Sequence, residues 1–264
     1  MILTIDVGNT STACGIFDGD ECVLRFRRST NINSSSDEIG VFLRSVLREN
    51  GFDWKKIEKV GCCSVVPAIN HSLTRACEKY LEKSPLFIQA GIKTGLKLRY
   101  SNPKEIGADL IAAAIGADLI AAAIGAVAEY PGKNLVIIDM GTAITAELVT
   151  KDKEFLGGVI MPGLKISVDA LAGGTANLTS VEIMKPQHVY GSTTTEAIQA
   201  GLFYGTAGAV KEFCSLFKKN VFHGEDTMII GTGGFARTFE EYKLFDEIIP
   251  GLVLSGVKVA LDLN

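Results

Sequence analysis

The sequence predicts an α/β protein made of two similar halves, and a repeated local pattern is the main reason. An apolar run at residues 2–5 leads into Asp6 and a turn rich in glycine and hydroxyl side chains. The same order recurs at residues 135–138, where the apolar run leads into Asp139. Apolar runs rich in β-branched residues predict strands that are buried on both faces. Two matching strand–acid–glycine turns predict two similar halves that face one nucleotide.

The residue types in these turns suit phosphate binding. An acidic side chain at a strand end can hold a cation, either directly or through water. Glycine lets backbone N–H groups approach an anion, and the hydroxyl groups that follow can donate to it. One such turn alone would be typical of an ordinary tight turn. Two copies after matching strands favour phosphate binding, and residues 231–234 add a third glycine-rich turn after an apolar strand.

The order of predicted elements supports the division into halves. Hydrophobic periodicity and turn residues predict three strands, a helix, a strand and a helix in the first half, followed by a short strand. These elements lie within residues 1–30, 36–48, 59–66, 69–81 and 85–88.

The second half repeats this theme. Its predicted strands are residues 135–138, 146–150, 155–160 and 227–230, and its predicted helices end at Leu171, Lys219 and Leu263. The long helix begins after Thr193, which is the candidate N-cap, and Glu196 occupies the capping-box position.

Composition excludes several classes of protein. The 264 residues are 47% hydrophobic and carry a net charge of −4, with the basic residues scattered, which argues against a nucleic-acid partner. The longest apolar stretch, residues 110–128, is interrupted by Asp118 and by glycines, so we expect a buried helix rather than a membrane span. The six cysteines lack metal-ligand spacing, and no signal peptide is apparent, so we expect a cytoplasmic protein.

Together the motifs strongly resemble the type III pantothenate kinase family. The resemblance extends over essentially the whole chain, and its motifs are specific as an ordered set. It rests on residues 6–10, 64–67, 107–109, 139–143, 157–163 and 232–234. It implies two ribonuclease-H-like domains of the sugar kinase–actin–Hsp70 type, with a nucleotide cleft between them. We place the domains at residues 1–115 and 116–264.

The resemblance also implies an activity and its requirements. The family transfers the γ-phosphoryl group of ATP to pantothenate, which gives 4'-phosphopantothenate and begins coenzyme A biosynthesis. It implies Mg²⁺, a monovalent cation (K⁺ or NH₄⁺), and a homodimer with the active site at the subunit interface. The alternative is a catalytically weakened nucleotide-binding regulator of the same fold.

Residue roles follow from the motif positions that this chain shares with the family. Asp139 is implied as the monovalent-cation ligand and Asp6 as a Mg²⁺ ligand, directly or through water. The implied catalytic base is Asp109, with Asp118 as the alternative. The implied ATP-binding residues are Asp6, Val7, Gly8, Asn9, Thr10, Ser11, Thr12, Ala13 and Thr142. The implied pantothenate-binding residues are Tyr100, Gly107, Ala108, Asp109, Leu110 and Thr194.

The chain departs from the family pattern after the catalytic aspartate. The family usually has arginine there, whereas this chain has Leu110, or Leu119 in the alternative register. Leucine cannot replace the bidentate contact that arginine makes with a carboxylate. This departure favours weaker pantothenate binding and is the main support for the regulator alternative.

The second departure is a tandem repeat, because residues 107–115 recur identically at residues 116–124. Nine residues make about 2.5 helical turns, so Asp109 and Asp118 would point to opposite sides of one straight helix. Only one of them can then serve as the base. The upstream context favours Asp109, whereas the distance along the chain to Asp139 favours Asp118. We lean to Asp109, and Asp118 stays open.

Overall fold

The computed structural model describes residues 1–89, 91–99, 116–175 and 178–264, which form two compact units. The first unit consists of residues 1–129 and 252–264, and the second of residues 130–251. Elements of the first unit are β1 (Ile2–Val7), β2 (Ser11–Asp18), β3 (Glu21–Ser29), α1 (Ser36–Glu49), β4 (Lys59–Ser64), α2 (Pro67–Leu81), β5 (Leu86–Phe87), β6 (Lys97–Leu98), α3 (Gly116–Glu129) and α6 (Leu252–Leu263). Elements of the second unit are β7 (Asn134–Met140), β8 (Ala143–Val149), β9 (Glu154–Pro162), α4 (Leu164–Gly174), α5 (Thr194–Asn220), β10 (Thr227–Thr232) and β11 (Glu247–Ile248).

The sheet of the first unit has the strand order β3-β2-β1-β4-β5. β1 pairs with β4 in parallel, and β4 with β5, whereas β1–β2 and β2–β3 are antiparallel. One face carries Leu3, Ile5 and Cys62, which pack with apolar residues of α1 and α2. The opposite face lies against α6, because a Cβ on Gly61 would meet Leu261 and Val257 within 2.6 Å. The central strands are therefore buried on both faces, as the apolar runs predict.

The strands of the second unit repeat this topology. Their order is β9-β8-β7-β10-β11, with β7–β10 and β10–β11 parallel and β7–β8 and β8–β9 antiparallel. Side chains of α5 and of the sheet, including Phe203, Ala207 and Ile138, share one hydrophobic core. The prediction of two similar α/β halves is confirmed at the level of strand order and direction.

The parallel strand pairs put the acidic residues of the two halves in equivalent places. Asp6 near the end of β1 is the register partner of Cys63 in β4. Asp139 near the end of β7 is the register partner of Thr232 in β10. Because side chains of register partners point to the same face of a sheet, each acid lies beside the side chain of the neighbouring strand.

Most predicted elements are found within a few residues of their predicted bounds, and the capping box of Thr193 with Glu196 is present. The grouping differs from the predicted division at residue 115, because α3 and α6 lie in the first unit. These helices cross closely: a Cβ on Gly256 would lie 1.7 Å from the Ala121 carbonyl oxygen. Within the described ranges, no helix has the length and apolarity needed to cross a membrane.

The α3–α6 crossing gives a stability prediction. Replacing Gly256 with alanine forces a methyl group into the backbone of α3, so we expect a loss of about 3 kcal/mol in the free energy of unfolding. The matched control is Gly205→Ala in α5, where a Cβ would meet no atom within 4 Å. Alanine there should leave stability unchanged or raise it by about 0.5–1 kcal/mol. Urea unfolding measures both, and equal effects would contradict the close crossing.

Candidate functional site

The first glycine turn is exposed at its tip and is held by hydrogen bonds where it joins the strands. The backbone N–H of Gly8 donates to the Ser11 carbonyl oxygen at 3.1 Å, which closes the turn between β1 and β2. Thr30 braces it, since its hydroxyl donates to the Gly8 carbonyl oxygen at 2.7 Å and lies 2.9 Å from the Thr12 hydroxyl. Asn9 and Thr10 at the tip are exposed. The turn therefore presents the polar residues Asn9 and Thr10 to solvent, which suits an anion such as a phosphate group.

Beside this turn, three side chains from three elements meet. The carboxylates of Asp6 and Asp118 and the thiol of Cys63 place their ligand-type atoms within 4.8 Å of one another. The Cys63 thiol donates to Asp118 Oδ1 with a donor–acceptor distance of 2.9 Å. The carboxyl groups of Asp118 and Asp6 also interact, and two carboxyl groups share a hydrogen bond only while one of them holds a proton. The repeat copy at residues 116–124 thus delivers its acid to the end of β1.

The protein environment changes the acidity of this cluster. Burial raises the pKa of Asp118 to about 6, and the hydrogen bonds with Cys63 and Asp6 oppose that rise. Burial, together with the nearby charges of Asp118 and Asp6, raises the pKa of the Cys63 thiol well above its usual range. Cys63 is therefore a neutral donor at physiological pH. A carboxyl group with a raised pKa is a stronger proton acceptor once ionised than an ordinary surface carboxylate.

The start of α3 explains why Asp118 reaches this position. Ala117 and Ile120 on either side of it are buried, whereas Asp118 and Leu119 are half-buried. The alanine-rich body of α3 packs closely on α6, through Gly125 and Gly256. The helix is therefore fixed at its apolar end, and its first turn presents Asp118 to β1 and β4.

The second glycine turn is packed by two other glycines of the same unit. A Cβ on Gly233, whose φ is +87°, would lie 2.4 Å from Asp139 Oδ1. A Cβ on Gly163 would lie 2.1 Å from the Thr142 carbonyl oxygen. The Phe235 N–H donates to the Met140 carbonyl oxygen at 3.0 Å, so the third glycine turn is hydrogen-bonded to the second. The absence of side chains at Gly163 and Gly233 makes room for the turn that carries Asp139.

The sequence-predicted residues divide into three groups. Gly8, Asn9, Thr10 and Ser11 form the exposed turn with Asp6 near it, whereas the Val7 side chain lies in the hydrophobic core and Thr12 is buried. Ala13 is the β2 register partner of Asp6. In the second unit, Thr142 follows Asp139, and Thr194 is exposed in the first turn of α5. Tyr100, Gly107, Ala108, Asp109 and Leu110 lie outside the described residues.

Sequence reasoning missed two residues of the first site, Cys63 and Thr30. Cys63 follows another cysteine in an apolar strand, where buried thiols are common, so the local sequence does not mark it as a site residue. The missing signal was strand register: only the pairing of β1 with β4 puts Cys63 beside Asp6. Thr30 comes from the end of β3 and could not be located without the β2–β3 pairing.

The chain is similar to known proteins over its whole length. The sequence model of the type III pantothenate kinase family matches residues 2–216. A type III pantothenate kinase from Legionella pneumophila (strain Paris) is 47% identical over 264 residues, covering 100% of this chain and 99% of the relative. One from Elusimicrobium minutum is 48% identical over 264 residues, with the same coverage.

Solved structures show the same fold at much lower sequence identity. A protein described as a conserved putative Baf family transcriptional activator from Campylobacter jejuni aligns with a TM-score of 0.58 and 18% identity, over 98% of this chain and 97% of that chain. A putative 2-dehydro-3-deoxygalactonokinase from Sinorhizobium meliloti aligns with a TM-score of 0.55 and 11% identity, over 99% and 96%. These likenesses support the α/β fold with two sheets. The family match and the full-length identities show more, and the chain belongs to the type III pantothenate kinase family.

Proposed function

We propose that this protein phosphorylates pantothenate with ATP, and that Asp118 is the general base. The observation that carries the proposal is the contact of Asp118 with Asp6 and Cys63, at the turn whose pattern suits phosphate binding. Phosphoryl transfer depends mainly on positioning and on charge neutralisation. A carboxylate beside the phosphate-binding turn can accept the proton of the attacking hydroxyl group.

The choice of Asp118 reverses the preference that the sequence suggested. The upstream context favoured Asp109, which lies outside the described residues. The downstream copy of the repeat begins α3, and its aspartate reaches the end of β1 through a helix held against α6. Since the half-turn argument allows only one of the two acids to face the site, the placement of Asp118 supports the downstream register.

The residues of the first turn fit a divalent metal. Carboxylate oxygens are the ligands that Mg²⁺ prefers, and it usually keeps several waters as well, so Asp6 could hold it directly or through water. The Cys63 thiol is a poor ligand for this hard cation, and its proton is engaged by Asp118. When bound with ATP, Mg²⁺ would neutralise charge on the phosphates. Asp6 would orient it, and residues 8–11 would hold the phosphates.

The second turn fits a monovalent cation. Asp139 supplies a carboxylate, and the close approach of Gly163 and Gly233 leaves backbone rather than side chains around the turn. Oxygen ligands of this kind suit K⁺, and NH₄⁺ can donate hydrogen bonds to them. We assign the cation to Asp139, an ATP contact to Thr142 and a pantothenate contact to Thr194.

The first prediction distinguishes the two copies of the repeat. Asp118→Asn should lower kcat for ADP release in the presence of pantothenate by about 10²–10⁴, because it removes the base. Asp109→Asn is the matched control, since it changes the same residue within an identical nine-residue segment, and should keep turnover near that of the unmodified chain. A coupled ADP assay measures both. If the Asp109 variant were inactive and the Asp118 variant active, the upstream register would be correct.

The second prediction concerns the monovalent cation. Gly233→Ala places a methyl group against the Asp139 carboxylate and strains a backbone with positive φ, so it should displace that carboxylate. The K⁺ concentration needed for half-maximal turnover should rise by about tenfold or more. Gly234→Ala is the control, because a Cβ there would meet no atom within 4 Å. Equal K⁺ activation curves for the two variants would argue against a cation at Asp139.

The proposed assembly is a cytoplasmic homodimer, formed through the second unit. That unit exposes large apolar side chains, and the neighbours Val189 and Tyr190 are 71% and 72% exposed. Large exposed apolar side chains are costly in a monomer and enriched in protein contacts.

The third prediction tests this assembly. Sedimentation at micromolar concentration should give a species of twice the chain mass of 28.2 kDa. Tyr190→Asp should shift the population toward the monomer, because it introduces a charge into the proposed contact. Leu263→Asp, on an exposed apolar residue of the first unit, is the control. A chain that sediments only as a monomer would refute the dimer.

A further inference from the structure

The most informative group that the proposed mechanism does not use is the thiol of Cys63. It is fully buried in β4, and its Sγ lies 2.9 Å from Asp118 Oδ1. The side chain belongs to a strand with neighbours on both sides, β1 and β5, so its backbone is held by parallel pairing. A donor fixed in this way restricts where the accepting carboxylate can lie.

The chemistry of the pair is directional. A neutral thiol donates one hydrogen, and an ionised carboxylate only accepts, through about four lone-pair sites on its two oxygens. An ionised Asp6 cannot donate to Asp118, so the bond from Cys63 occupies one of these sites and others can accept from a substrate hydroxyl group. The thiol is not placed to exchange protons with substrate, because Cys63 has no exposed surface. Its effect on the reaction must therefore act through Asp118.

We propose that Cys63 is a positioning residue, whose thiol holds the Asp118 carboxylate in the orientation that accepts the substrate proton. The inference rests on the proposed role of Asp118 as the base. Catalytic groups need to be held within a fraction of an ångström of their productive geometry, and small misplacements cost rate rather than binding. The pair joins a rigid strand of the sheet to the first turn of a helix, so one hydrogen bond fixes the base relative to Asp6.

The same strand supplies a matched control for this inference. Cys62 is adjacent to Cys63 and equally buried, but it points to the opposite face, into the core formed with α1 and α2. Replacing either cysteine with alanine removes one sulfur from the interior. Only the change at Cys63 removes a donor to Asp118, so the difference between the two variants isolates the hydrogen bond from the loss of packing.

The kinetic test compares Cys63→Ala, Cys63→Ser and Cys62→Ala. Cys63→Ala should lower kcat by about tenfold while KM for ATP and for pantothenate changes by less than about twofold, because orientation of the base matters only in the chemical step. Cys63→Ser keeps a donor and should recover most of the lost rate. Cys62→Ala should keep kcat, and its unfolding midpoint should fall about as much as that of Cys63→Ala. Equal kcat for Cys63→Ala and Cys62→Ala would overturn the proposal.

A spectroscopic test works without turnover. A thiol that donates to a carboxylate has its S–H stretching band at lower frequency than a thiol without an acceptor. The Raman band lost in Cys63→Ser identifies Cys63, and Asp118→Ala should move that band to higher frequency because alanine offers no acceptor. A band that does not move in Asp118→Ala would overturn the contact, even if the unsubstituted chain phosphorylates pantothenate. If the band moves but the unsubstituted chain shows no pantothenate-dependent ADP release, the contact is supported and the proposed function is refuted.

Discussion

The parallel pairing of β1 with β4 is the constraint on which the first site depends. Its register puts Asp6 beside Cys63, and no local feature of either strand could do so. The equivalent pairing of β7 with β10 puts Asp139 beside Thr232. In the second unit the Thr232 hydroxyl donates to the Ile249 carbonyl oxygen at 2.8 Å. The residue at this topological position thus hydrogen-bonds to a nearby backbone carbonyl in the second unit and to the candidate base in the first.

Close packing through glycine is the second physical theme. The sites lie near strand ends, and glycines allow neighbouring backbone segments to approach closely. Gly163 and Gly233 do this around Asp139, and Gly125 and Gly256 do it where α3 crosses α6. A methyl group at these positions would overlap backbone or carboxylate atoms. These four positions therefore have no room for a side chain, whereas a Cβ on Gly205 in α5 would meet no atom within 4 Å.

Tertiary contacts fix the position of the second copy of the tandem repeat. Residues 107–115 and 116–124 have the same helix propensity and the same pattern, so local sequence preference cannot distinguish them. The second copy begins α3, and Gly125, directly after that copy, packs closely against Leu252 and Gly256 of α6. The described copy brings Asp118 to the cluster with Asp6 and Cys63.

Sequence alone was enough to predict the two-half α/β architecture, the helix capped by Thr193 and the two acid–glycine turns, because periodicity, capping and turn chemistry are local properties. It also determined the family, through motifs whose order and spacing are specific. The contact of Asp118 with Cys63, its closeness to Asp6 and the place of α6 in the first unit became known only from the tertiary structure. These outcomes depend on strand register and on helix packing between segments far apart in the chain. A local pattern cannot specify them, because segments far apart in the sequence become neighbours only when the whole chain folds.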